Sequence, residues 1–222
     1  MQEAGGGMTG VMRKLAALSA PAAAVLLTAA APATAPTAPP APAPEVIRAV
    51  TALRAIASMR ADFTQTSANG QRLSGVLTLK RPGRIRFQYG AGTPMLIVSD
   101  GRALTMFDRA VNQYQRWPIA NSPLGALLDP GRDVARYGSL QPMLDPAAIG
   151  VAVRDPAHPE FGTLTLVFSR KSSAPGGLQL DGWVTLDSQN QRTVIRLANQ
   201  QYGIAASDDL FRIRDPHAGP HH

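Results

Sequence analysis

The sequence predicts a mainly β protein: a meandering antiparallel sheet curled into a barrel or half-barrel, preceded by one amphipathic helix. Three observations carry that expectation. From residue 61 onward, short runs of alternating apolar and polar residues follow one another almost without interruption. Turn signals separate them at short intervals, notably Asp100-Gly101, Pro175-Gly176-Gly177 and Ser188-Gln189-Asn190. Helical spacing is confined to the stretch after Glu45 and to one short segment near Leu124.

The chain has 222 residues, 45% of them hydrophobic, enough for one sizeable core in a single domain. Residues 1–33 read as a secretory signal peptide: Arg13-Lys14, the alanine-rich run from Leu15 to Ala31, and the small residues Ala31-Pro32-Ala33 for cleavage. Met8 and Met12 are alternative starts, since the basic pair follows each. The run is short and interrupted by Pro21, below the ~20 strongly apolar residues of a spanning helix. Cleavage after Ala33 removes Arg13, Lys14 and Glu3, taking the formal charge from +7 to +6. With no lipobox cysteine, the expected product is soluble outside the cytoplasm. Residues 34–44, TAPTAPPAPAP, form a stiff, extended, disordered lead-in.

From Glu45 the helical stripe comprises Val46, Ile47, Val50, Leu53 and Ile56, with Pro44 where helices begin. The expected strands are ADFTQTS, RLSGVLTLK, RIRFQY, MLIVSD, ALTMFD, QYQRW, GVAVRD, GTLTLVFSR, LQLDGWVTLD, TVIRLAN and FRIRD. Asn121-Ser122-Pro123 followed by Leu124, Leu127 and Leu128 reads as a capped short helix. Residues 216–222 are an expected disordered tail.

Parity assigns the faces, because side chains alternate across a sheet. Leu73, Gly75, Leu77 and Leu79 share one face; Ile85, Phe87 and Tyr89 oppose Arg84, Arg86 and Gln88. The same parity puts Arg81 on the apolar side. There it either turns into solvent or requires acceptors for its donors.

Catalytic chemistry finds little support. A hydrolase needs a nucleophile, a base and an orienting acid. The four histidines are His158 beside a proline and His217, His221 and His222 near the end, and no Gly-x-Ser-x-Gly elbow occurs. Zero cysteine excludes disulfides and thiolate metal sites. Asp208-Asp209 lacks EF-hand spacing, and Gly5-Gly6-Gly7 is not followed by a phosphate-loop lysine. Ser99-Asp100-Gly101 is first a hairpin signal. The charge of +7 invites nucleic-acid binding, but parity puts Arg84 and Arg86 opposite Phe87 and Tyr89, so stacking and phosphate contacts cannot share a surface. No enzyme, cofactor or metal is expected, and no nucleic-acid partner.

In order along the chain come an amphipathic helix, Phe63-Thr64-Gln65, Ser74-Gly75, a strand ending Lys80-Arg81-Pro82, an Arg-Phe-x-Tyr strand, and Leu96-Ile97-Val98-Ser99-Asp100-Gly101. This order resembles the outer-membrane lipoprotein carrier protein family, LolA. The resemblance covers roughly residues 45–215; Phe211-Arg212-Ile213 is similar to the family's closing strand. It implies an incomplete, highly curved antiparallel β-barrel, a half-barrel covered by short α-helices that form a lid over an apolar cavity. It also implies a monomeric carrier of acylated lipoproteins, receiving them from an inner-membrane ABC-type lipoprotein-releasing transporter and passing them to an outer-membrane lipoprotein acceptor. A periplasmic envelope sensor or lipid-binding module of the same fold is the alternative.

Arg81 matches the family arginine that latches the lid by hydrogen bonds to helix backbone. The candidate cavity residues are Leu53 and Ile56 on the first helix, Leu77, Leu79, Ile85, Phe87, Leu96, Val98 and Met106 on strands, and Leu124, Leu127 and Leu128 on the second helix. Each of them serves equally well as ordinary core. Aromatics are scarce, at 5%, and positions such as Ile85 are aliphatic where the family is aromatic. The physical demand is large: a triacyl anchor with ~45 methylenes represents ~35 kcal/mol of transfer free energy if exposed to water. Exposed Arg84, Arg86 and Arg102 are candidates for docking acidic surfaces.

Overall fold

The computed structural model describes residues 41–119, 122, 124–128 and 133–213. The leader, residues 34–40 of the lead-in, Asn121, Pro123, Arg214, Asp215 and the tail with its three histidines lie outside the described residues. Helix α1 spans Pro44–Ala55, with proline in its first turn, Glu45 at the positive end of its dipole and Arg54 at the negative end. It buries Val46, Ala49, Val50, Ala52 and Leu53. Ile47 was expected on this stripe but is 50% exposed, because the two alanines shift the buried arc away from it. Ile56 follows the helix in extended backbone and is still buried.

Eleven strands follow: β1 Ser58–Thr66, β2 Arg72–Lys80, β3 Arg84–Tyr89, β4 Met95–Asp100, β5 Ala103–Asp108, β6 Gln113–Pro118, β7 Gly138–Gln141, β8 Ala148–Val153, β9 Thr163–Arg170, β10 Leu178–Leu186 and β11 Arg192–Tyr202. A four-residue helix α2, Gly125–Leu128, lies between β6 and β7. All the strands join one antiparallel sheet in the order β6-β5-β4-β3-β2-β1-β11-β10-β9-β8-β7. Among the described residues, only the β1–β11 pairing joins strands that are not consecutive in the chain. Strands β6 and β7 are the two ends of the order, so the sheet stays an open half-barrel.

Two sequence expectations need correction. Over the described residues of FRIRD, 211–213, no strand forms: Asp208–Phe211 is a 3-10 turn capped by Ser207, and residues 212 and 213 join no ladder. Strand β7 was not anticipated, since GSLQ carries one apolar residue, Leu140, and that residue is exposed.

The curl of the sheet is measurable from one contact. Phe87 on β3 and Trp183 on β10 are four strand steps apart, ~19 Å in a flat sheet. Their ring centroids are 6.1 Å apart. A bulge at Leu180/Gly182 of β10 helps bend the sheet, and Gly182 there has φ 146° with Ile195 O where a Cβ would stand. Inside the curve, Phe63 meets Phe87 and Tyr89 edge to face, at 5.3 and 5.1 Å. A smaller cluster of Leu96, Val98 and Phe211 sits apart from this core.

Candidate functional site: a lidded apolar cavity

Register fixes which side chains face the hollow. Phe87 pairs with Leu77 and Ile97, and Ile97 with Met106, so these four share the inner face. At the mouth of the curve lies an apolar cavity of about 240 Å³. Phe87, Tyr89 and Ile97 line it from one arm of the sheet, Trp183 and Ile195 from the other, and Leu124 faces it from the turn before α2. Trp117 of the edge strand β6 also contributes.

The expected cavity residues divide into four groups. Phe87 and Leu124 line the cavity. Leu53, Ile56, Leu77, Leu79, Ile85, Leu127 and Leu128 are each at most 2% exposed and join one packed layer between helices and sheet. Met106 faces inward by register and is half-buried. Leu96 and Val98 are misassigned: they pair with Gln88 and Arg86, on the outer face, and are buried there beneath Phe211. Trp117, Trp183, Ile97 and Ile195 were missed. Ile97 was concealed because all of Met95 to Val98 is apolar; the tryptophans and Ile195 carried a readable parity signal in their own strands.

Arg81 leaves the β2–β3 turn and enters the apolar side. Its Nη2 donates to Leu53 O at 3.0 Å, in the last turn of α1, and its Nη1 donates to Leu127 O at 3.2 Å, in α2. Both acceptors lie in the last turn of a helix, at the negative end of its dipole, and Leu53 O also takes the Ile56 N–H at 3.4 Å. One planar guanidinium therefore ties two helices to one strand turn. Arg81 Nε is buried with no partner among the described residues. Burial, and then the charge of Arg54, hold the guanidinium below its ordinary pKa. The turn itself is fixed from outside: Arg81 N donates to Ala57 O at 2.8 Å, and the fully buried Ser99 hydroxyl donates to Gly83 O at 2.6 Å.

Tyr89 stands in the cavity wall beside the polar residues Gln65, Ser122, Thr185 and Thr193. Its hydroxyl donates to Gln65 Oε1 at 2.7 Å, and burial pushes its pKa up to about 12. On the outer face, Arg86 Nη1 donates to Leu210 O at 2.9 Å and Arg84 lies 3.6 Å from Asp208, so both engage the C-terminal segment; Arg102 stays exposed. His158 pairs with Glu160 on an exposed turn at 3.0 Å. No group of three or more metal-ligating side chains occurs among the described residues.

Residues 54–214 match the sequence profile of the family described as outer membrane lipoprotein carrier protein LolA. An outer-membrane lipoprotein carrier protein of Xanthomonas campestris pv. campestris is 29% identical over 181 residues, covering 73% of this chain and 80% of that protein. One from Coxiella burnetii is 23% identical over 166 residues, covering 70% and 75%. Among solved structures, a LolA superfamily protein from Nitrosomonas europaea covers 75% of this chain and 97% of its own, at 10% identity and a TM-score of 0.41. By its sequence profile, this chain belongs to the outer membrane lipoprotein carrier protein LolA family.

Proposed function

We propose that this chain is a periplasmic carrier that shelters the acyl chains of lipoproteins in its half-barrel and moves them from the inner to the outer membrane. It acts by binding and release, without catalysis. In this reading residues 1–33 export it, an inner-membrane ABC-type transporter loads it, and an outer-membrane acceptor unloads it.

The observation that carries the reading is the pairing of an apolar cavity with helices that pack on the sheet and are tied to one strand turn by the two hydrogen bonds of Arg81. A volume of 240 Å³ holds about eight groups of the ~30 Å³ that a water molecule claims, close to the size of a methylene. That is part of one acyl chain. Cargo must therefore lift α1 and α2 off the packed leucine layer, and closure of the lid competes with cargo for the same surface. Such competition gives shelter without permanent capture. Arg81 is the latch in this scheme, and Leu53, Ile56, Leu77, Leu79, Ile85, Leu127 and Leu128 become acyl contacts only when it opens.

The test is release of labelled lipoproteins from spheroplasts by the purified chain. Transfer into the soluble fraction, in amounts stoichiometric with the chain, is expected. Retention in the membrane, while a Xanthomonas carrier run in parallel frees the same lipoproteins, overturns the reading.

A further inference from the structure

The segment Ile204–Phe211 crosses the outside of the barrel and is fastened at both ends. At its root, Ser58 Oγ donates to Ile204 O at 2.8 Å, and Gly203 N donates to Ser58 O at 3.0 Å. In its middle, Lys80 Nζ donates to Ala206 O at 2.8 Å and pairs with Asp208 Oδ1 at 2.6 Å. At its far end Leu210 O takes the bond from Arg86, and Phe211 is 1% exposed over Leu96 and Val98. The fastening points coincide with the lid's pivot. Ser58 lies three residues after the end of α1, and Lys80 immediately precedes Arg81, which grips α1 and α2 from the other side of the sheet. Arg81 N also holds Ala57 O. A cleft of about 530 Å³ lies between the strap root and this junction, lined by Ala57, Ser58, Lys80 and Arg81 opposite Ile204 and Ala206.

We infer that Ile204–Phe211 is a strap coupled to the lid, so that filling the cavity inside loosens the strap outside and marks a loaded carrier on its outer surface. The inference rests on the carrier reading above. Lifting α1 requires rotation at Ile56–Ala57, which pulls on Ala57 O, the partner of Arg81 N, and on Ser58, the anchor of the strap root. Coupling of this kind is reciprocal: whatever factor cargo applies to strap release, strap release applies to cargo affinity. Phe211, Lys80 and Ser58 are then positioning residues for the latch.

The chain has no cysteine, so pairs of introduced cysteines can carry spin labels without background. Ile47→Cys with Thr64→Cys reports the lid, and Leu210→Cys with Thr64→Cys reports the strap. A saturating triacylated peptide, its entry verified by displacement of an apolar dye, is expected to raise the detached-strap population at least fivefold. Phe211→Ala is expected to tighten peptide binding by the same factor. Asp208→Asn, at an exposed position, gives the same sign with a smaller size. Peptide that binds and opens the lid while the strap distance stays unchanged overturns the coupling and leaves the carrier reading intact. Peptide that fails to bind removes the carrier reading; the coupling is then judged with Arg81→Leu, which frees the lid without cargo, and an unmoved strap in that variant overturns it.

Discussion

Replacing Arg81 with leucine removes its two hydrogen bonds to the helices, to Leu53 O at 3.0 Å and Leu127 O at 3.2 Å, and leaves their apolar packing in place. Hydrogen bonds to a charged donor are worth ~1.5–3 kcal/mol each. The guanidinium gives up part of that gain because it is desolvated, and the two carbonyls regain water when the lid lifts. A net loss of about 2–3 kcal/mol from the closed state follows, a factor of roughly 30–150 in the ratio of open to closed lid. On the proposed scheme, in which cargo occupies the open form and closure of the lid displaces it, apparent affinity rises toward that factor and weaker closure shows as slower dissociation. The assay is displacement of an apolar fluorescent dye by an acylated peptide, followed by stopped-flow release to acceptor vesicles. Arg81→Leu is expected to take up peptide normally and to release it at least tenfold more slowly. Arg81→Lys falls between, because a single ammonium on a flexible stem lacks the planar fork that spans both carbonyls. Release rates within twofold of the parent, in a variant with unchanged circular dichroism, would refute the latch.

Three further outcomes can be checked by simpler means. Gly182→Ala forces a side chain into φ 146° and against Ile195 O, so it is expected to cost about 2–4 kcal/mol in thermal unfolding, whereas Gly70→Ala, with open space around it, costs about 1 kcal/mol. The Tyr89 phenol keeps its proton to about pH 12 in the fold and loses it near 10 when unfolded, so the native state binds more protons across that window and stability falls as pH rises through it. Denaturant titrations from pH 9 to 12 should show a drop of ~2–3 kcal/mol in the parent beyond any in Tyr89→Phe; equal slopes exclude a buried phenol. Trp183→Ala removes a ring that reaches across the hollow to Phe87, and is expected to cost ~3–5 kcal/mol while admitting a longer apolar probe by isothermal calorimetry.

The parts of the fold that could be read in advance are those where only one face is buried. Strands β2 and β3 alternate cleanly because Leu77, Leu79, Ile85 and Phe87 pack inward while Thr78, Arg84 and Arg86 meet solvent or polar partners. In β4 the alternation vanishes. Its outer side is roofed by Phe211, so Leu96 and Val98 are as apolar as Ile97, and hydropathy no longer tells inside from outside. Strand β7 failed for the opposite reason: an exposed edge requires no apolar face, and GSLQ has none. The Phe-Arg-Ile run near the end has strand-like composition, yet Phe211 is drawn into a 3-10 turn by its outer pocket. That roof joins residues over a hundred positions apart in the chain, a contact that no local pattern records. Arg81 was legible as an anomaly, a cation continuing an apolar parity, but its acceptors lie 28 and 46 residues away.

The two unpaired ends of the sheet order bear on how large a load the protein can take. In a closed barrel, strand number and stagger dictate the radius, and widening it means breaking a seam of ladder bonds. Here β6 and β7 share no such seam. The bore is set instead by side chains that meet across the hollow, such as Phe87 against Trp183, and by the tie at Arg81. Its girth is therefore not fixed by ladder bonds. The arms can spread by exchanging contacts between side chains for contacts with a guest, leaving every strand pairing in place, so one scaffold can accommodate guests of unequal thickness.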